Sequence, residues 1–153
     1  IKINNFLTKY NDMESHENEP RLSIDKLKDK FGEVRLEIIS QERNTRTSCV
    51  RRLSDNTVVA CSKVQFHDEG IAEFDKFHQT ILAGAKIGET IQNSGIAHER
   101  IESDFSTVEI DPEFISSFGT DKTTCLSRTV EYKIQNLPYT TITEFYNPEL
   151  SPL

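Results

Sequence analysis

Residues 47–66 read TSCVRRLSDNTVVACSKVQF, and this pattern is the clearest indication of the class of fold. Two runs rich in β-branched residues flank Asp55-Asn56, a pair of residues that is common in tight turns between adjacent strands. The stretch is therefore predicted to form two antiparallel strands, TSCVRRLS and TVVACSKVQF.

The rest of the chain supplies further strands and several short helices. Apolar side chains alternate with polar ones in EVRLEIIS (33–40), whereas they recur at helical spacing in IDKLKDKF and again over residues 70–93, interrupted at Gly84. HERIESDFSTVEI (98–110) is predicted to be extended, and residues 111–119, with Pro112 and Gly119, are predicted to form a loop. The last two predicted strands are TCLSRTVEYKIQ and YTTITEFYN, joined by Asn136-Leu137-Pro138.

The order of these elements predicts an α+β fold with a mostly antiparallel sheet and helices on one side. At 153 residues the chain fits one domain, which we assign to residues 1–153. Residues 1–22 include the polar, acidic stretch NDMESHENEP and are predicted to be a partly mobile N-terminal segment.

Composition excludes several classes of function. Lys and Arg number 18 against 25 Asp and Glu, and the resulting net charge of −7 argues against a general nucleic-acid binder. No run of 18 apolar residues is present, so no membrane span is predicted. The four histidines and three cysteines show no metal-ligand spacing, and no metal or cofactor is expected. The cysteines are interpreted as reduced thiols of a cytoplasmic protein, or of the plastid stroma if the protein is organellar.

Two charged residues lie on strand faces that also carry apolar side chains. Alternation in SCVRRLS places Arg51 with Cys49 and Leu53, and an inward arginine is costly unless it meets an anion, either a carboxylate of the protein or an acidic ligand. Glu144 shares a face with Ile142 and Tyr146, which indicates a sheet edge or a site. The alternative for Glu144 is an ion pair that crosses the sheet to Arg128.

The segment from Thr47 to Leu153 resembles the chorismate lyase (chorismate–pyruvate lyase) superfamily, and most closely its cyanobacterial, plastid and archaeal branch. The resemblance rests on four pieces in order: CVRRLSDNTVVACSKV with Ala60 and Ser62, AKIGETI, HERIES, and LSRTVEYKIQNLPYTTITEFYNPELSPL. It implies a six-stranded antiparallel sheet with helices on one side and an enclosed ligand.

The resemblance also implies an activity, the elimination of pyruvate from chorismate to give 4-hydroxybenzoate without metal or cofactor, a step of quinone biosynthesis. Arg51 would hold the ring carboxylate, and Glu144 would lie near the leaving ether oxygen. The implied substrate-binding groups are Arg51, the backbone amides of Ile87 and Gly88, Arg100 and Arg128. The chain departs from the family at Ala85-Lys86, which replaces a proline, and at Ser62, where some lyases carry an arginine.

Two other functions fit the same residues. One is a non-catalytic domain of this fold that binds an aromatic or carboxylate ligand, as in the effector domains of transcription regulators. The other is a related enzyme acting on another aromatic acid. Whichever function holds, the expected partner is a small dianionic molecule, with no nucleic acid or membrane, and the protein is expected to be a monomer or weak dimer.

Overall fold

A single antiparallel sheet forms the body of the molecule. The computed structural model describes residues 23–150 of the chain. The strand order is β1-β2-β3-β7-β6-β4, and β5 also pairs with β6, so the sheet has seven strands in this range. The predicted class, α+β with one antiparallel sheet of about six strands and helices on one side, is confirmed. Residues 1–22 lie outside the described range, and the assignment of residues 1–153 to one domain stays a prediction.

The elements follow the predicted order. The strands are β1 (Val34–Gln41), β2 (Thr45–Arg52), β3 (Val58–Phe66), β4 (His98–Glu102), β5 (Ser106–Glu109), β6 (Thr124–Ile134) and β7 (Leu137–Tyr146). The helices are α1 (Ser23–Phe31), α2 (Asp68–Glu73), α3 (Asp75–Leu82), α4 (Ile87–Asn93) and α5 (Pro112–Phe118).

Strand alternation separates two sets of buried side chains on opposite faces of the sheet. Helices α1 to α4 cover the face that carries Val50, Val64 and Val130. The short helix α5 packs against residues of the opposite parity, among them Cys49 and Phe145. The main helical layer therefore lies on one side, and α5 adds a small cover on the other.

The stretch predicted to be extended, residues 98–110, contains the two strands β4 and β5, which pair with different halves of β6. Two other local predictions were wrong. The predicted loop contains α5, which has a typical helix start and stop: Asp111 accepts a hydrogen bond from the amide of Glu113, and Gly119 ends the helix at a φ of 64°. The final hairpin turns at Gln135-Asn136, both with positive φ, one step before the predicted turn.

Gly70 of α2 lies against the backbone of β7, and this close approach excludes a side chain. A Cβ placed there would be 2.7 Å from the carbonyl oxygen of Pro138 and 2.9 Å from the Cα of Tyr139. Because backbone atoms cannot turn away, Gly70→Ala is expected to lower the free energy of unfolding by about 1–3 kcal/mol. Urea denaturation measures this loss, and Ala72→Ser, at an exposed position of the same helix, is the control. An unchanged midpoint for Gly70→Ala would contradict the packing described here.

Two cysteines that were expected to be free are paired. Cys49 and Cys61 face each other in the register of β2 and β3, with their Cα atoms 4.0 Å apart, and are joined as a disulfide. Cys125 is buried and free. The pairing corrects the interpretation of all three cysteines as reduced thiols, which overlooked that the hairpin register places two of them side by side.

The disulfide can be tested by counting thiols. Denatured protein is expected to show one reactive thiol without reductant and three with it. Because the bond closes a loop of 12 residues, reduction is expected to lower the free energy of unfolding by roughly 3 kcal/mol. Cys125→Ala should leave that difference unchanged. Three thiols titrating without reductant would show that the pair is not oxidised.

Candidate functional site

A cavity of about 120 Å³ lies between one face of the sheet, helix α1 and the beginning of α4. An apolar cavity of ~150 Å³ holds a benzene molecule in a well-studied engineered protein, so this space suits a ligand of about one ring. Most of the lining is apolar. Its polar side chains are Arg46, Ser48, Ser62, Lys86, Glu89, Tyr132, Glu144 and Tyr146.

The floor of the cavity consists of three rows of side chains that run across the strands. The central row is polar, since Ser48 of β2 pairs in register with Ser62 of β3, which pairs with Glu144 of β7. The rows on either side are mainly apolar. They are Val50, Ala60 and Tyr146 on the side nearer α1, and Arg46, Val64, Ile142 and Val130 on the side nearer α4.

The roof of the cavity is formed by residues of two helices, α1 and α4. From α1, Ile24 and Leu27 face the cavity, and from α4, Ile87 and Gly88 do so at the first two helical positions. The first amides of a helix have no acceptor inside the helix, so the N–H groups of Ile87 and Gly88 are available to an acceptor nearby. Lys86, at the N-cap, offers no side-chain cap.

Arg46 is the cationic side chain in the cavity wall that is buried most deeply, at 2% exposure. Its guanidinium donates to the carbonyl oxygens of Ile81 and Ala85, at 2.6 and 2.9 Å, and to Oε1 of Gln41 at 2.5 Å. All three acceptors are neutral, and within residues 23–150 no carboxylate forms an ion pair with Arg46. Burial accordingly lowers the pKa of Arg46 below its usual value. The wall therefore holds a positive charge that the described residues solvate without neutralising.

Glu144 lies in the same cavity but its charge is matched. Nε of Arg128 donates to Glu144 Oε1 at 2.8 Å, and the hydroxyl of Tyr146 donates to the same oxygen. Burial is the largest single influence and lowers the pKa of Arg128, but the electrostatic contacts with Glu144, Tyr146 and Glu102 together outweigh it and raise that pKa. Burial and the same carboxylate raise the pKa of Tyr146. The ion pair across the sheet, one alternative for Glu144, is thus present.

A second carboxylate extends this network to the edge of the sheet. Glu102 of β4 accepts from Arg128 at 3.0 Å and forms ion pairs with Arg100 and with Lys26 of α1. Burial alone would raise the pKa of Glu102, but the three cations lower it. The contact between Lys26 and Glu102 is 3.4 Å long and links helix α1 to strand β4.

Of the predicted site residues, the structure brings Glu144, Ile87 and Gly88 to the cavity. Arg51, Arg100 and Arg128 do not line it. Arg51 donates to Glu37 at 2.9 Å and to the carbonyl oxygen of Asn56 at 3.0 Å, near the β2–β3 turn. Alternation along β2 places Arg51 on the face of Cys49, whereas the cavity lies on the opposite face, that of Val50. Its proposed contact with a ligand carboxylate has no structural support.

Sequence reasoning missed Arg46 and Ser48, although a signal for both was present. Alternation through TRTSCV places Arg46 and Ser48 on the face of Val50, opposite Cys49. The predicted strand began at Thr47, two residues late, and so left Arg46 out. Starting the strand at Thr45 would have put an arginine, a serine and a valine on one face.

Other kinds of site find no support in the described part of the chain. Residues 23–150 contain no group of three His, Cys, Asp or Glu side chains that could hold a metal ion. No helix in this range has the length and apolarity needed to cross a membrane.

The fold of the chain is shown by its similarity to solved structures, and not by similarity of sequence. No protein-family model and no curated protein matches the sequence. A transcriptional regulator of the GntR family from Bacillus cereus has a TM-score of 0.58 at 12% identity, over 78% of this chain and 94% of that one. The C-terminal domain of the histidine utilization repressor from Pseudomonas syringae pv. tomato has a TM-score of 0.55 at 7% identity, over 79% and 96%.

A third similar structure is longer than this chain. The possible transcriptional regulator YydK from Bacillus subtilis has a TM-score of 0.56 at 10% identity, and the match spans 77% of this chain but only 59% of that protein. The chain thus has the fold of GntR-family C-terminal domains. The resemblance to the chorismate lyase superfamily holds at the level of fold, and the assignment to one of its branches stays a prediction.

These comparisons overturn the expectation that the chain is an enzyme. The three solved structures described above are transcriptional regulators or a domain of one. The cavity agrees with the correction, because Arg51 lies outside it and Arg100 and Arg128 are engaged by carboxylates of the protein. A lyase acting on a dianion would need two cationic anchors, and the described wall has one buried arginine.

Proposed function

We propose that the chain is a non-catalytic domain that binds one small acid with a largely apolar body, and that it serves as the effector domain of a regulator. The observation that carries the proposal is Arg46, a buried arginine in the cavity wall whose partners within residues 23–150 are all neutral. Burying a charge is costly unless an opposite charge approaches it, and a ligand carboxylate would supply that charge.

The geometry around Arg46 supports an acidic group at this end of the cavity. Three of the five guanidinium N–H groups are used by Gln41, Ile81 and Ala85, which leaves two for a ligand. Ala85 lies two residues before the start of α4, so the first amides of that helix, at Ile87 and Gly88, lie on the same side of the cavity. Together these groups would hold the two oxygens of a carboxylate.

The charges around the cavity favour a monoanion over the expected dianion. Glu144 is balanced by Arg128, and the two exposed charges of the lining, Lys86 and Glu89, are opposite in sign. Among the charges of the lining and their direct ion-pair partners, Arg46 is then the surplus, and one negative charge on the ligand neutralises it. The apolar rows of the floor would contact the body of the ligand.

Titration calorimetry with benzoate and benzamide tests the proposal, since the two probes have nearly the same size and differ in charge. Benzoate is expected to bind with a Kd at least about 30-fold lower than that of benzamide, because a charge-assisted contact to a buried arginine contributes about 2 kcal/mol or more. Equal affinity for both, or no binding of either, would contradict the proposal. Incubation with chorismate is expected to release no pyruvate.

A further inference from the structure

We infer that Ser48 and Ser62 form a recognition pair for a second oxygen on the ligand, and that the ligand class is a ring-sized carboxylic acid with a hydroxyl or carbonyl remote from its carboxylate. This inference rests on the proposed function and adds the feature that selects among small acids. It concerns the centre of the cavity floor, whereas Arg46 lies at its side.

The hydroxyl of Ser48 is a buried polar group that has no hydrogen-bond partner among residues 23–150. The residue is 5% exposed and lines the cavity, and within residues 23–150 its side chain makes no hydrogen bond. Most buried polar side chains in proteins have a partner, and one left without a partner costs stability. A hydroxyl in this position is explained if it bonds to a molecule in the cavity.

Ser62 lies beside Ser48 and adds a second hydroxyl group to the cavity floor. The two residues are directly paired across β2 and β3, a position where Cβ atoms of neighbouring strands are about 5 Å apart. Ser62 also lines the cavity, is half-buried, and makes no side-chain hydrogen bond to a described residue. Each hydroxyl can donate and accept, so the pair can bind either a hydroxyl or a carbonyl oxygen.

The positions of Arg46 and Ser48 along β2 indicate the shape of the ligand. Ser48 follows Arg46 by two residues on one strand, so their Cα atoms are separated by roughly 6.6 Å along it. A carboxylate at Arg46 and an oxygen at Ser48 must therefore be held apart by the body of the ligand. Positions across a six-membered ring meet this condition, whereas an oxygen on the atom next to the carboxyl-bearing carbon does not.

The surroundings of the pair restrict how many oxygens the ligand can carry. On both sides of the central row the floor is made mainly of apolar side chains, such as Val50, Ala60, Val64 and Ile142. A ligand with hydroxyl groups around its whole perimeter, such as a sugar acid, would bury several of them against these side chains without a partner. The inference therefore specifies one additional oxygen.

The test compares benzoate with its three ring-hydroxylated derivatives by titration calorimetry on the full chain. The 3- or the 4-hydroxy acid is expected to bind about tenfold more tightly than benzoate, in line with one hydrogen bond to a buried group. The 2-hydroxy acid, whose oxygen is next to the carboxylate, is expected to show no such gain. Ser48→Ala should abolish the preference while leaving the affinity for benzoate within about threefold.

A stability measurement separates ligand recognition from a structural role. Because Ser48 has no hydrogen bond to lose, the unliganded Ser48→Ala protein is expected to melt at the same temperature as the wild type or higher. Ser127→Ala is the matched control, since Ser127 is 4% exposed but does not line the cavity. It should change neither benzoate affinity nor the preference.

Each outcome has a defined meaning. If benzoate binds and no hydroxylated acid binds better, or if Ser48→Ala keeps the preference, the inference is wrong while the proposed function stands. If none of the four acids binds the folded wild-type protein, both are wrong. A melting temperature that falls clearly in Ser48→Ala would assign the hydroxyl to the fold instead of the ligand.

Discussion

Replacing Arg46 with methionine is expected to reduce benzoate affinity by at least about 30-fold, to the level of benzamide. Methionine keeps an unbranched stem of similar length but removes the charge and the N–H groups that would hold the carboxylate. Loss of one partner from a buried, charge-assisted contact typically costs about 2–5 kcal/mol, which sets the size of this effect. Titration calorimetry on both proteins measures it.

The same substitution is expected to lower the free energy of unfolding by about 2–4 kcal/mol. The carbonyl oxygens of Ile81 and Ala85 and the side-chain oxygen of Gln41 would lose their donor in a largely buried region. Arg43→Met is the control, because Arg43 is exposed and its contact with Asp75 is 4.0 Å long, so little change is expected. Arg46→Lys, which retains the charge, should recover part of the affinity.

Two results would contradict this account of Arg46. Unchanged benzoate affinity in a folded Arg46→Met protein would remove the residue from the site. Equal loss of affinity for benzoate and for uncharged benzamide would show that the substitution deforms the cavity without removing a charge contact.

Replacing Arg128 with methionine is expected to cost about 3–5 kcal/mol of unfolding free energy, since it breaks a buried ion pair from one side. Arg128 is 7% exposed and bonds to Glu144 and Glu102 at 2.8 and 3.0 Å. Its removal would leave Glu144, itself 6% exposed, as a buried carboxylate without its arginine. Breaking a buried pair from one side is costly because the remaining charge has lost the contact that compensated its burial.

A second substitution distinguishes the ion pair from simple loss of packing. Arg128→Met combined with Glu144→Leu removes both charges and is expected to recover a substantial part of the lost stability. Lys28→Met is the control at a surface pair, since the Lys28–Glu33 contact is 3.7 Å long and well exposed. Chemical denaturation of the four proteins measures all three differences. A double variant less stable than Arg128→Met would contradict the argument.

Most of the fold could be predicted from the sequence because its signals are local. Alternation over eight or more residues identified the strands of both hairpins, and helical spacing identified α1 and α4. The helix α5 was missed for a physical reason. Its seven residues begin with a proline and end before a glycine, and the same two residues also mark loops.

The site was harder to predict because it depends on register. Glu144 was identified correctly as a charged residue on an inward face. Whether it paired with Arg128 or faced a ligand stayed open, because the answer depends on the β6–β7 pairing. Arg51 was chosen because it shares a strand face with Cys49, but the cavity lies on the face of Val50, and Arg46 on that face lay just outside the predicted strand. A one-residue change of parity moves a side chain to the other face of a sheet, so such errors exchange a site residue for a surface residue.

The central claim is that the cavity between α1, α4 and the sheet holds a small acid at Arg46, and amide NMR spectroscopy locates such binding directly. On titration of ¹⁵N-labelled protein with benzoate, the largest shifts are expected at Gly88, Ser48 and the Arg46 side-chain Nε–H, with small shifts in α5 on the opposite face. Largest shifts in α5, or none at saturating benzoate, would contradict the claim.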